Sequence, residues 1–276
     1  MMDCMARANE TATPHGRAGM QLMPSLDARS KALASASLYR MLARAFSAPE
    51  PELARFVIKE CSGLRIALRR GALSAWIAHS LKAVEREWRD VISAELQDEY
   101  SRLFLGAGLV PLREGGFGGG LRFAGQPVDI ADVSGFYLAF GFVLPDSAAS
   151  PPDFLGAELE FMSLLHLKLA LAFQRRKMEH VRVTRTAMAH FLKDHLGRWA
   201  EPLAAALADA SALPAYRTMG RLLVRAVETD CLRLKIRPSK ARAGAGRDPV
   251  CGEELACPFS RQSGYDAGFR RDALEH

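Results

Sequence analysis

Apolar residues fall at three- and four-residue steps through most of this chain, and that spacing restricts the fold more than any other feature. From Ser30 the series Leu33, Leu38, Met41, Leu42, Ala45 and Phe46 marks one face of an amphipathic helix. A second helix begins near Leu53, after the prolines of "SAPEPEL", and a third covers about 73–91 with Trp76, Leu81, Val84 and Trp88 as its core residues. "ELQDEYSRLFLG" sets Leu96, Tyr100, Leu103 and Phe104 on one stripe that ends at Gly106. "DIADVSGFYLAFGF" places Val133, Phe136, Tyr137 and Phe140 on one face, and the stretch from Asp153 to about Arg175 is apolar nearly all round, as in a buried central helix. In "HFLKDHLGRWA", Phe191, His195 and Trp199 recur at steps of four; Glu201-Pro202 predicts a restart, and Pro214 to Lys235 closes the bundle. Runs rich in Val, Ile and Thr are scarce, while Ala, Leu and Arg dominate. The fold class predicted is all-α, a single helical-bundle domain of two halves.

Between the halves lies "GAGLVPLREGGFGGGLRFAGQ", read as a glycine-rich hinge over about 106–127. No Gly-Lys-Ser/Thr follows the glycines and no strand precedes them, so neither a phosphate-binding loop nor a dinucleotide fingerprint is formed. The expected division is a disordered extension over 1–27, a helical domain over 28–236 and a mobile tail over 237–276. No apolar stretch reaches the roughly 20 residues that span a bilayer, and the N-terminus lacks the apolar segment of an export signal. The expected localisation is cytoplasmic. Cys4, Cys61, Cys231, Cys251 and Cys257 are odd in number and scattered, unlike a disulfide framework, and Cys251 and Cys257 lack the spacing of a zinc knuckle.

A net charge of +6 raises the possibility of nucleic acid, but the basic residues are spread without an aromatic-interleaved stripe, which argues against it. The exception is the stretch from Phe123 to Leu167, which holds no Lys or Arg and carries Asp129, Asp132, Asp146, Asp153, Glu158 and Glu160. Acids gathered without counter-charge repel one another, so this island suits a visiting cationic partner, and arginine best of all. Glu158 and Glu160 point roughly 200° apart on a helix and cannot work as one dyad. A buried Glu needs a partner, and Arg102 is the expected internal one; Asp153 reads as the N-cap of the helix that follows. No nucleophile elbow, His-Glu-x-x-His pair or di-metal spacing is present, and His195 beside Trp199 reads as a packed, hydrogen-bonded core residue. No catalytic residue, metal or cofactor is expected.

"EYSRLFLGAG", "PDFLGAELEFMSLL" and "FLKDHLGRWA" resemble, in order and spacing, the TorD/DmsD/NarJ group of redox-enzyme maturation chaperones, over roughly Ser30 to Lys235. The resemblance implies an all-helical, non-enzymatic cytoplasmic protein. It would bind the twin-arginine signal peptide, or another N-terminal part, of a molybdoenzyme catalytic subunit and hold back export until the molybdenum cofactor is in place. Where the family often has Pro-Pro-Tyr-Glu-Ser-x-Tyr this chain has "PLREGGF", keeping Pro111 and Glu114 with Phe117 in the last aromatic place. Where the family often has Glu-Pro-Asp-His it has "PPDF", which keeps Pro152 and Asp153 but puts Phe154 in place of the histidine. The expected client-binding residues are the acids Glu114, Asp129, Asp132, Asp153 and Glu158 with the apolar Phe117, Phe136, Tyr137 and Phe154. The expected partner is the catalytic subunit itself, as signal peptide and apo-protein, with no nucleic acid or membrane insertion, the chaperone being a monomer or a helix-swapped dimer. Two other readings stand beside this one: a nucleotide hydrolase using the glycine loop and the acids, and a permanent subunit of a redox complex.

Overall fold

The computed structural model describes residues 26–106, 108–117, 126–144 and 151–238, with backbone alone at 26–27 and 126–129. The extension over 1–25, most of the glycine run, Asp146 and the cysteines at 4, 251 and 257 lie outside the described residues. Within them the chain is all-α: α1 (Leu26–Ala45), α2 (Leu53–Arg69), α3 (Ala75–Arg89), α4 (Ser93–Phe104), a 3-10 turn (Glu114–Phe117), α5 (Gln126–Ala139), α6 (Leu155–Gln174), α7 (Met178–Asp194), α8 (Leu196–Ala210) and α9 (Pro214–Leu234).

The apolar stripes read from the sequence meet in one core. Helix α6, buried on most of its circumference, lies along α1, where the Ser163 hydroxyl donates to the Ala36 carbonyl at 2.9 Å. Helix α9 packs on α3 and α8, and α2 sits between α1 and α3. N-terminal and C-terminal helices thereby share a continuous interior, with Trp88, Trp199, Tyr39, Tyr216, Phe46, Phe161 and Phe191 fully enclosed. The indole of Trp88 donates to the Ala215 carbonyl at 3.1 Å, so its polar atom is satisfied as well as its surface buried. Cys61 and Cys231 are buried free thiols, each pushed up to about 12 by burial, and so are poor nucleophiles at neutral pH. No helix among the described residues is long and apolar enough to cross a membrane.

Three local expectations need correction. Trp76 is not core: its side is 63% exposed, with Arg225 over the ring at 5.7 Å. Ile77, Leu81, Val84 and Trp88 take the inner stripe of α3, and Trp76, one residue out of step, is turned roughly 100° from it. The helix through "HFLKDHLGRWA" breaks at His195 (φ −128°, ψ −104°), not at Glu201-Pro202, and Pro202 sits inside α8. Gly197 follows the break so closely packed that a Cβ there would strike the Leu192 carbonyl oxygen. Finally, Arg102 does not serve Glu158. It forks onto Glu99 at 2.8 and 2.9 Å and donates to the Ala210 carbonyl at 2.7 Å.

Glu99 holds the α8–α9 turn. Besides Arg102 it accepts from the Ser211 hydroxyl at 2.8 Å and from the backbone N–H groups of Ala212 and Leu213 at 2.6 and 3.3 Å. Burial alone would raise its pKa, but these donors outweigh burial and hold it below its ordinary value. Its contribution is therefore present above the unfolded pKa and lost as pH falls. Glu99→Ala should cost about 3 kcal/mol in urea unfolding near neutral pH, and the deficit should shrink towards pH 4. A deficit that does not change with pH would mean that packing, and not charge, makes this contact.

Candidate functional site

The break between α7 and α8 carries the chemistry. His195, 2% exposed, bonds through Nδ1 to Glu114 Oε2 at 3.1 Å and through Nε2 to Asp132 Oδ2 at 3.0 Å. Two carboxylate partners require an N–H on each ring nitrogen, which only the imidazolium provides. Burial pulls the His195 pKa down, but the hydrogen bonds and charges of Glu114 and Asp132 overcome it, and the net shift is upward. One imidazolium thus ties the 3-10 turn to α5 and to the α7–α8 corner.

Glu158 lies below this bridge and is fully enclosed. It accepts from the Trp199 indole N–H at 3.2 Å through Oε2, while Oε1 has no partner. Burial, first, and then the neighbouring charges of Glu114 and Asp153 push its pKa well above the carboxylate range, so it is held as the neutral acid. Phe117 stacks on Trp199 with centroids 5.6 Å apart and planes at 25°, joining the 3-10 turn to α8 from the other side. Gly116 is needed there, because a Cβ would lie 2.5 Å from that of Pro111.

The aromatic face of α5 covers the cluster. Phe136 meets Phe161, Phe191 and His195 edge-on. Tyr137 packs on Phe161 at 4.9 Å and donates its hydroxyl to the Pro152 carbonyl at 2.9 Å. Burial drives the Tyr137 hydroxyl pKa up, and the nearby acids add to it, so it stays protonated and able to donate.

Asp153 is not the N-cap of α6, which is Phe154, and Phe154 makes no side-chain cap bond. The Asp153 carboxylate is turned inward and gripped by Arg113 at 3.0 to 3.3 Å, a two-pronged contact stronger than a cap. Backbone bonds from Glu114 N–H to the Asp153 carbonyl (3.0 Å) and from Leu155 N–H to the Leu112 carbonyl (2.9 Å) pin the two segments together beside it.

The structure thus gathers Glu114, Phe117, Asp132, Phe136, Tyr137, Asp153, Phe154 and Glu158 around one corner of the bundle. Asp129 is on α5, one turn before Asp132, and its side chain lies outside the described residues. Glu160 is exposed while Glu158 is enclosed, as the roughly 200° between them requires. The expectation of uncompensated charge is corrected: the counter-charges come from outside the Lys/Arg-free stretch. Arg113 meets Asp153, His195 meets Glu114 and Asp132, and Arg198 approaches Glu114 at 3.5 Å. Glu114, Asp153 and Glu158 are buried, and the Asp132 side chain, 60% exposed, is the open one of the four. Sequence reasoning missed Arg113, Arg198 and the bridging role of His195, although all three stood inside the quoted segments "PLREGGF" and "FLKDHLGRWA".

Residues 70–205 match the family described as nitrate reductase delta subunit, and every residue of the cluster falls inside that span. No curated protein matches the chain. The matched span and the all-helical fold agree: residues 70–205 carry the pattern of the nitrate reductase delta subunit family, a NarJ-type family of molybdoenzyme maturation chaperones that act with molybdoenzyme catalytic subunits, consistent with the TorD/DmsD/NarJ group.

Proposed function

We propose that this chaperone binds the twin-arginine signal peptide or N-terminal region of a molybdoenzyme catalytic subunit, in the cytoplasm, and holds back export until the molybdenum cofactor has been inserted. The observation that carries this reading is the corner where α5 closes over the Glu114–His195–Asp132 bridge with half-exposed Arg113 on Asp153 beside it. Arg113 and His195 are stand-ins for the client. A leader guanidinium reproduces the fork that Arg113 makes with Asp153, and a second exchanges with the imidazolium on Asp132 and Glu114. Asp129 joins them by its place on α5. As α5 lifts, Phe117, Phe136, Tyr137 and Phe154 form the wall on which the apolar part of the leader is laid, with neutral Glu158 at the floor. The protein brings no cofactor of its own to this exchange.

Each exposed guanidinium–carboxylate contact contributes about 1 kcal/mol or less, so micromolar binding needs several of them together with apolar burial. Calorimetry with a synthetic twin-arginine leader should give micromolar affinity, weakened at least about tenfold by Asp132→Asn with Asp153→Asn. Equal affinity for the double variant removes these acids from recognition. The word subunit in the family description favours a second reading, a permanent component of the redox complex. Co-purification separates the two, because a chaperone is absent from the mature enzyme.

A further inference from the structure

A cavity elsewhere in the fold shares no residue with that corner. It has a volume of about 480 Å³ and lies between the first turns of α1, the α2–α3 connection and a wall built by α6, α7 and α9. Clefts of roughly 300–1,000 Å³ are the size that takes small organic ligands. Leu169, Phe173 and Met188 supply an apolar side. Arg185 and Arg233 bring two guanidinium groups to the lining, beside the carboxylate of Asp230.

That carboxylate is already engaged. Asp230 meets His166 Nε2 at 2.8 Å and accepts from Arg233 at 3.4 Å. Burial would raise its pKa, but His166 and Arg233 prevail and keep it low, so it is ionised and its charge is spent within the wall. Arg233 also donates to the Ser35 hydroxyl at 3.0 Å, and Arg185 to the Arg233 carbonyl at 3.3 Å. Each guanidinium has five N–H donors, so one or two fixed bonds orient it without saturating it. His166, 3% exposed and stacked under Tyr39 at 5.4 Å, has its Nδ1 buried with no hydrogen-bond partner. A buried polar atom left so is costly, and His166 is one of the residues lining the cavity.

We propose that this cavity binds a small organic anion with an apolar body. The carboxylate or phosphate head is held by Arg185 and Arg233, and the body lies against Leu169, Phe173 and Met188, with the His166 ring in the wall. The site straddles the edge of the matched span: Arg185, His166 and the apolar side lie inside it, Asp230 and Arg233 beyond it.

Calorimetry of the full chain with octanoate, octyl phosphate and neutral 1-octanol tests this, alongside ¹H–¹⁵N spectra of the histidine rings. At least one anion should bind saturably, shift the His166 ring nitrogens, and bind about tenfold more weakly to Arg185→Gln, which loses one charge-assisted contact. The preferred head group then decides between carboxylate and phosphate. Arg185 is exposed and its one bond is to a carbonyl, so the variant should fold normally. Octanol binding as tightly as the anions, unchanged affinity in Arg185→Gln, a silent His166 ring, or no saturable binding of either anion at millimolar concentration would each overturn the proposal.

Discussion

Replacing His195 with alanine should cost about 3–5 kcal/mol of stability, the range for breaking a buried ion pair by removing one partner. Most of that loss belongs to Glu114, which is buried and would keep only the longer approach of Arg198 at 3.5 Å; Asp132 is mostly exposed and can turn to water. Amide exchange should report the change first in α5, because the imidazolium is, with the Tyr137 hydroxyl, a polar tie between α5 and the rest of the corner. The pH dependence has a definite sign. The folded pKa of His195 lies above its ordinary 6.5, so its contribution is whole below that value and fades as pH rises through the folded pKa. His195→Ala should therefore resemble the parent most closely in alkaline solution. If α5 exchanges as slowly in the variant as in the parent, the imidazolium is not what holds it.

Glu158 should separate charge from shape even more sharply. Glu158→Ala removes the acceptor of the Trp199 N–H and leaves a hole beside a fully buried indole, at a cost of about 3 kcal/mol. Glu158→Gln keeps the acceptor and the volume, and should exceed the parent in stability at neutral pH. The carboxyl is held protonated in the fold while the unfolded chain ionises near its ordinary 4.5, so the parent loses stability as pH rises from there to the folded pKa. The glutamine variant has no such slope, and its advantage should grow by about 1.4 kcal/mol for each pH unit in that window. Denaturant midpoints measured from pH 4 to 8 would show it. Parallel curves for the parent and Glu158→Gln would mean that Glu158 is ionised in the fold and that its neighbours tolerate the charge.

The helices were legible because burial here follows period. Val133, Phe136, Tyr137 and Phe140 share a face in the sequence and pack together in the structure, and the all-round apolar pattern of α6 marks the element that others surround. What spacing could not convey was pairing across long separations. Arg113 and Asp153 are 40 residues apart, Glu114 and His195 81, so no local pattern joins them. The acids looked uncompensated because their partners stood in other segments. The break at His195 was hidden for a related reason: the steps of four from Phe191 to Trp199 persist through a residue whose backbone is not helical. Trp76 misled because its large apolar surface suggests burial, whereas the phase of α3 decides it.

The paired backbone bonds joining residues 112–114 to 153–155 have a consequence for how the corner can open. They staple both ends of the excursion that contains α5, with Arg113 and Asp153 clasped across the base. Helix α5 is thus leashed like a ligand on a short tether, its local concentration set by the covalent path and not by the abundance of the protein. If a leader docks at this corner as proposed, it competes with a neighbour that the chain itself holds close, and that competition favours release of the client.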